Sequence, residues 1–315
     1  MSYNFEISKV EGNKVFFYIV GDEIENCNIT LYHKKTGLIL HRELGFKLVP
    51  NINYYFGIHD NIIDFVGESV LEFDVNNSQS KKQIDFGFGK DIDFNIELNS
   101  INGTSFYTYW EIFLDKVYET DKIKIEENDV VIDIGSNIGL FALYANNFNP
   151  KIIYCLEPDT NNYLSLLKNT IKQNKIEVLN FAVTENCGQT LFNTDPNGIC
   201  STTDNYKGLF NYVNYDNQIK VNTIDINTLL DMISEKTVDF LKLDCEGCEE
   251  ILFQTIKKEN IEKIKKIVLE YHSEEIKNNI ISKLKSINFI IDKTFEIMTN
   301  KNCGMIYAYN QKFIQ

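Results

Sequence analysis

Apolar residues in the first third of the chain come in short, aromatic and β-branched runs separated by polar turns. Lys14–Val20, Ile29–His33, Leu38–His41, Ile52–Ile58 and Val70–Val75 each have the length and composition of a strand. Lys34-Lys35-Thr36-Gly37 separates the second run from the third and predicts a hairpin turn. The region from Tyr3 to about Leu98 therefore predicts a small antiparallel β domain, arranged as a sandwich. Its histidines, His33 and His41, read as core or solvated residues, and Tyr54, Tyr55 and Phe56 read as core aromatics in preference to a sugar-stacking platform. Gly87-Phe88-Gly89-Lys90 allows a bend, and residues 1–98 are assigned to this accessory domain and residues 99–315 to a second one.

The rhythm then changes to longer, helix-spaced segments alternating with compact apolar runs. Thr104 or Ser105 can cap a helix over Phe106–Tyr118, with Phe106, Tyr109, Trp110, Phe113, Leu114 and Val117 on its apolar side. Val130, Val131, Ile132 and Ile134 form the continuous apolar run of a strand covered on both faces. A glycine turn and a helix follow. Lys151–Leu156 is the next strand, then a helix over Thr160–Gln173 with Tyr163, Leu164, Leu167 and Ile171 as its buried face, then a strand over Glu177–Phe181. A polar hairpin or loop spans Gln189 to about Ile219, placed where a substrate loop would be. Strands at Val238–Leu243 and Ile264–Glu270, a helix at Ile276–Leu284 and two last strands complete the pattern, the final strand antiparallel. This order predicts right-handed crossovers and an α/β domain around a mostly parallel sheet.

The glycine turn carries the first chemistry. Asp133 falls at the strand end, and Gly135 and Gly139 flank Ser136-Asn137-Ile138, so backbone N–H groups and a carboxylate address one crevice. A dinucleotide fingerprint needs a glycine where Asn137 stands. A carboxylate in the turn repels phosphate but attracts the sulfonium and ammonium of S-adenosylmethionine. Glu157-Pro158 ends the next strand, where an acid accepts hydrogen bonds from ribose hydroxyls. Asn180 and Ala182 are placed to meet the adenine ring. The cofactor set is therefore Asp133, Gly135, Ser136, Asn137, Gly139, Glu157, Pro158, Asn180 and Ala182.

The second chemical stretch is Asp239-Phe240-Leu241-Lys242-Leu243-Asp244-Cys245-Glu246-Gly247-Cys248-Glu249. Lys242 lies inside a buried strand and needs a carboxylate partner or a ligand to remain charged. Asp244 emerges on the same sheet edge as Asp133 and Glu157, and Glu246 and Glu249 fall in the first turn of the next helix. His272 ends a later strand at the same edge and can take a proton near neutral pH. Asp244, Glu246, His272 and Lys242 are the candidate catalytic residues, and Asp244 with Glu246 could hold Mg2+ or another divalent cation. Asp195, Ser201 and Thr202, with Asn197, are candidate substrate contacts in the polar loop. Cys245 and Cys248 match C-x-x-C but sit among acids that disfavour thiolates, so they read as packing residues.

Composition narrows the partners. A net charge of −14, from 45 acidic and 31 basic residues, argues against nucleic acid and anionic membranes as general partners. Seven irregularly spaced cysteines point to reduced thiols. No signal-like start or membrane-length apolar run is present, so a cytoplasmic location without membrane insertion is expected, with room for a homo-oligomer.

Val131–Gly139, Glu157-Pro158, Asp239–Gly247 with Glu249, and Glu270-Tyr271-His272 together resemble the signature of FkbM-type methyltransferases, over roughly Thr104–Tyr309. The resemblance implies a class I methyltransferase fold, Rossmann-like, and O-methylation of a hydroxyl, often on a sugar or polyketide. Cys245 and Cys248 replace the small apolar residues usual there. A carbohydrate acceptor, as a sugar nucleotide or surface polysaccharide precursor, suits a polar acidic crevice. The alternatives are an NAD-dependent oxidoreductase, disfavoured by Asn137, and an inactive glycan-binding or assembly protein, disfavoured by the intact acids.

Overall fold

A computed structural model describes residues 3–11, 14–33, 39–57, 67–75, 81–88, 108–194, 202–203, 217–245, 247–296 and 303–313. The chain forms two compact units, Met1–Trp110 and Glu111–Gln315. The expected boundary between residues 98 and 99 lies outside the described residues.

In the first unit the strands are β1 (Tyr3–Glu11), β2 (Lys14–Gly21), β3 (Ile24–His33), β4 (Ile39–Leu48), β5 (Tyr54–Gly57), β6 (Gly67–Val75) and β7 (Lys81–Phe88). They make two antiparallel sheets, β1-β2-β5 and β4-β3-β6-β7. Period-two alternation explains the layering, because Val15, Phe17 and Ile19 of β2 and Leu71, Phe73 and Val75 of β6 share one buried core. The Phe73 ring stacks on Phe5 at 3.9 Å and meets Phe17 at 5.1 Å. The register sets His41 opposite Leu31 and His33 opposite Ser69, so the two histidines are not a cross-strand pair. Tyr55 is exposed and Tyr54 packs at the core's margin.

The second unit contains β8 (Val130–Ile134), α1 (Leu140–Asn146), β9 (Ile152–Leu156), α2 (Thr160–Thr170) and β10 (Ile176–Leu179). A small sheet follows from β11 (Ala182–Val183), β12 (Gly188–Thr194), β13 (Thr202–Thr203) and β14 (Asn217–Ile224). The chain returns to the main layer through α3 (Ile226–Met232), β15 (Val238–Leu243), α4 (Cys248–Thr255), α5 (Lys258–Ile261), β16 (Ile264–Tyr271), α6 (Glu274–Ser286), β17 (Phe289–Glu296) and β18 (Gly304–Asn310). The seven-stranded sheet has the order β10-β9-β8-β15-β16-β18-β17, and β18 runs antiparallel to both neighbours. All of β8 and β15 is buried, which accounts for their unbroken apolar runs. Because the order reverses between β8 and β15, their carboxyl ends open the switch point at which ligands of such sheets bind.

Two expectations are corrected. The helix expected over Phe106–Tyr118 gives way at Leu114, where a single wide turn over Trp110–Leu114 ends. The chain then reverses at Lys116, whose φ is +50°, with the Val117 N–H donating to the Glu111 carbonyl. In α2 the buried face is the opposite of the one expected. Asn162, Ser165, Leu166, Asn169 and Thr170 point inward, whereas Leu164 is 50% and Ile171 81% exposed. The reason lies beneath the helix, where the Asn169 side-chain amide donates to the Ile138 carbonyl at 2.8 Å, so backbone of the glycine turn is satisfied by a polar helix face. Ile171→Lys should accordingly change unfolding free energy by no more than about 0.5 kcal/mol, while Leu166→Ala should cost about 2–5 kcal/mol, both read from urea denaturation.

Candidate active site at the carboxyl ends of the parallel strands

The register of β8 against β15 sets Asp133 directly opposite Lys242. Both are buried, with the Asp133 side chain 0% and that of Lys242 3% exposed. The Lys242 ammonium donates to Asp133 Oδ1 at 2.9 Å and to the Gly135 carbonyl at 3.1 Å. It also lies 3.8 Å from Asp244 Oδ2. Burial by itself would lower the lysine pKa, but the charges of Asp133 and Asp244 outweigh it and hold the ammonium above its ordinary value.

Tyr118, delivered by the reversal at Lys116, donates its hydroxyl to Asp244 Oδ2 at 2.5 Å. Its ring sits 5.1 Å from the Lys242 nitrogen and edge-on to Phe141 at 5.2 Å. Burial, then the Asp244 and Glu270 charges, push the phenol well above its usual range, so Tyr118 is a neutral donor. Burial pushes the Asp244 carboxyl up, but Lys242, the Tyr118 hydrogen bond and His272 together bring it below its ordinary value. Tyr118 was missed in the sequence because it reads as the last residue of an apolar helix. Asp133, Lys242, Asp244 and Tyr118 thus form one cluster, with the Glu270 and Glu111 carboxyls close enough to act on it.

The glycine turn closes over the same point. The N–H groups of Gly135 and Ser136 both donate to the Leu156 carbonyl at 3.0 Å, tying the turn to β9, and the Ser136 hydroxyl donates to the Asp133 carbonyl at 2.8 Å. Gly135 has φ +80°, and a Cβ there would stand 1.8 Å from the Asp244 carbonyl oxygen, so only glycine lets the two strand ends approach. Asn137 adopts φ +50° and donates its N–H to Glu157 Oε2 at 2.8 Å, while the Asp159 N–H donates to Oε1 at 2.9 Å. Each oxygen keeps acceptor capacity for a further donor. Burial raises the Glu157 carboxyl to about 7 against the pull of these two N–H groups. The Asn180 amide donates to the carbonyls of Glu157 and Pro158 at 2.8 and 3.2 Å, fixing the end of β9. Ala182 is buried with Phe192 and Val221 in the core of the small sheet.

His272 is buried beyond β16, with Nδ1 3.8 Å from Glu249 Oε2 and Nε2 4.0 Å from Glu270 Oε1. Glu249 is spent on the loop before α4, accepting the N–H groups of Cys245 and Gly247 at 3.1 and 3.0 Å. Glu246, Asp195, Asn197 and Ser201 lie outside the described residues, and Thr202 is placed only by its backbone in β13, opposite Asn193. Among the described residues no group of three or more His, Cys, Asp or Glu side chains could hold a metal ion, so the expected divalent cation finds no support. The expectation of reduced thiols fails at one place, since Cys245 and Cys248 form a disulfide, their Cα atoms 5.6 Å apart.

The family model of the methyltransferase FkbM domain matches residues 133–304, more than half of the chain. The chain belongs to this family. Its FkbM domain thus begins at the carboxylate that holds Lys242 and ends at the start of β18, inside a sheet with the strand order of class I S-adenosylmethionine-dependent methyltransferases. The chain is 32% identical over 71 residues to the 31-O-demethyl-FK506 methyltransferase FkbM of Streptomyces tacrolimicus, covering 22% of this chain and 27% of that one. It is 45% identical over 53 residues to the AMB antimetabolite synthetase AmbE of Pseudomonas aeruginosa, covering 16% of this chain and 2% of that one. The chain therefore spans about a quarter or less of the length of these two relatives. Among solved structures, methyltransferase FkbM from Methylobacillus flagellatus KT superposes with a TM-score of 0.44 at 17% identity, covering 64% of this chain and 48% of that one.

The FkbM site fits the cofactor of its family. Asp133 Oδ2 is buried and has no hydrogen-bond partner among the described residues, an unusual state for a carboxylate oxygen unless a ligand meets it. The surrounding acceptors suit a cation and hydroxyls better than a phosphate. Lys242→Met should destabilise the fold by about 3–5 kcal/mol, because Asp133 would keep a buried charge without its counter-ion; chemical denaturation reads this directly. Because Glu157 rises from 4.5 in its ordinary state to about 7, the folded protein binds this proton more tightly than the unfolded chain. Its contribution to stability therefore falls as pH rises through that window. The unfolding free energy of wild type minus that of Glu157→Gln should decrease from acid to neutral pH, as measured by urea titrations across the range.

Proposed function

We propose that this protein transfers a methyl group from S-adenosylmethionine to a hydroxyl of a carbohydrate, as a sugar nucleotide or a polysaccharide precursor. The observation that carries the reading is the buried group of Asp133, Lys242, Asp244 and Tyr118 beside the Gly135 turn. S-adenosylmethionine, when bound, supplies a methyl carbon already activated by its positive sulfonium. Asp133, Asn137 and Glu157 would hold it, and the carboxyl-rich surroundings of Lys242 favour a cationic ligand over an anionic one. No phosphate-binding glycine stands at Asn137, which speaks against the oxidoreductase alternative.

Methyl transfer to oxygen requires alignment and a late proton acceptor. Asp244 is positioned for both tasks, since Tyr118 and Lys242 fix its Oδ2 and so orient the carboxylate. Its lowered pKa is no handicap, because a hydroxyl oxygen gaining a methyl group becomes far more acidic than any carboxylic acid. Lys242 keeps Asp244 ionised, and neutral Tyr118 does so without adding charge. His272 lies close enough to Asp244 to act on its charge. A polar, acceptor-rich crevice supports a polyol acceptor, and the cytoplasm is the expected location.

With tritiated S-adenosylmethionine and a panel of sugar nucleotides, wild type should label a hydroxylated acceptor. Asp244→Asn should reduce turnover on the order of 10²–10⁴-fold while S-adenosylhomocysteine still binds by calorimetry; full activity in this variant would end its catalytic role. Tyr118→Phe removes a donor that lowers the Asp244 pKa, so the acid limb of the pH–rate profile should move to higher pH.

A further inference from the structure

We infer that Cys245 and Cys248 form a reversible disulfide site that sets the order of the catalytic loop and thereby the affinity for the cofactor. The inference rests in part on the methyltransferase reading above. Four observations place the pair. Cys245 directly follows Asp244, and Cys248 opens α4. Gly247 has φ +122°, and the two cysteine Cα atoms stand 5.6 Å apart, within the span of a disulfide. The Asp244 carbonyl and Cys245 Cα stand 1.8 and 3.2 Å from where a Cβ on Gly135 would lie, so the loop carrying the bridge packs on the cofactor turn. Glu249, wholly buried, accepts the Cys245 and Gly247 N–H groups, and the Asp244 N–H donates to the Ile134 carbonyl, so the bridge adds to anchors at both ends of the loop.

The chemistry is thiol–disulfide exchange with a low-molecular-weight disulfide. One cysteine thiolate attacks the small disulfide and releases one small thiol, giving a mixed disulfide. The second cysteine attacks the protein sulfur of that intermediate and releases the second small thiol. Two electrons pass from the pair to the small molecule, and the two thiol protons end on the two released thiols. Glu249 Oε1 lies 3.5 Å from Cys245 Sγ, and a carboxylate there opposes a thiolate. The pair therefore exchanges slowly with small disulfides and is not built to pass its bridge to another protein as an oxidoreductase does. Oxidation removes conformational freedom from the loop before ligand arrives, which favours binding. In a reducing compartment such bridges are transient and regulatory.

The test uses the full chain equilibrated in glutathione buffers of graded potential. Thiols are trapped by alkylation, peptides are mapped by mass spectrometry, and S-adenosylhomocysteine is titrated into oxidised and fully reduced protein. The expected result is a Cys245–Cys248 peptide that appears with oxidation, and tighter binding by on the order of fivefold in the oxidised form. Cys248→Ser should bind as the reduced form does and ignore the oxidant. Alkylation of both cysteines under oxidising conditions would overturn the site, and equal affinities of bridged and reduced protein would overturn its coupling to the cofactor. Failure of both forms to bind would overturn the methyltransferase reading and the coupling together, while the peptide map would still report the bridge.

Discussion

The ion pair of Lys242 with Asp133 is the constraint on which the second unit depends. Both charges sit in the middle of a sheet covered on both faces, where desolvation alone would expel them. They persist because the parallel register of β8 and β15 sets them side by side and the Gly135 carbonyl takes a further ammonium hydrogen. The rings of Tyr118 and Phe141, 5.1 and 5.6 Å from the nitrogen, fill the space around the charge with aromatic faces and edges. A lysine in a central strand is tolerable only where acids converge, so its presence ties the ends of β8 and β15 to each other.

From that pair the geometry of the site follows outward. Gly135 can turn against the Asp244 carbonyl only because it lacks a side chain, and the turn is pinned to β9 through the Leu156 carbonyl. Glu157 then meets the Asn137 N–H, so the turn and the next strand end are held by one carboxylate. Three strand ends are thereby locked within one hydrogen-bonded group, at the place where the sheet reverses its order. The first unit has a core of its own, centred on Phe73 and Phe17.

Helix α2 shows how the site shapes even its supports. Amphipathic periodicity assigns Leu164, Leu167 and Ile171 to the interior, yet Asn162, Asn169 and Thr170 occupy it. The helix lies over the glycine turn, whose backbone needs donors more than it needs hydrocarbon, and Asn169 supplies one to Ile138. Gly139 lets Leu166 settle close, since a Cβ there would stand 2.5 Å from its Cδ1. Periodicity measures hydrophobic contrast along one helix; it carries no information on the polarity of the surface the helix meets.

By itself the sequence determined the strand–turn–helix unit at Asp133–Gly139, the alternation that makes a parallel sheet, and the acids at its carboxyl edge. These are local signals, carried by apolar runs and by glycines whose role needs only their neighbours in the chain. It also flagged Lys242 as a buried charge in want of a partner, without naming Asp133, which lies 109 residues away. Only the tertiary structure decided that partner. The fold alone also placed Tyr118, 126 residues from Asp244, after a left-handed reversal at Lys116 that no glycine announces. The same holds for Cys245 and Cys248, whose acidic neighbours suggested inert thiols until the turn at Gly247 set them face to face. Pairings of this kind depend on what the folded chain puts across from a residue, and composition and spacing do not encode that opposite side.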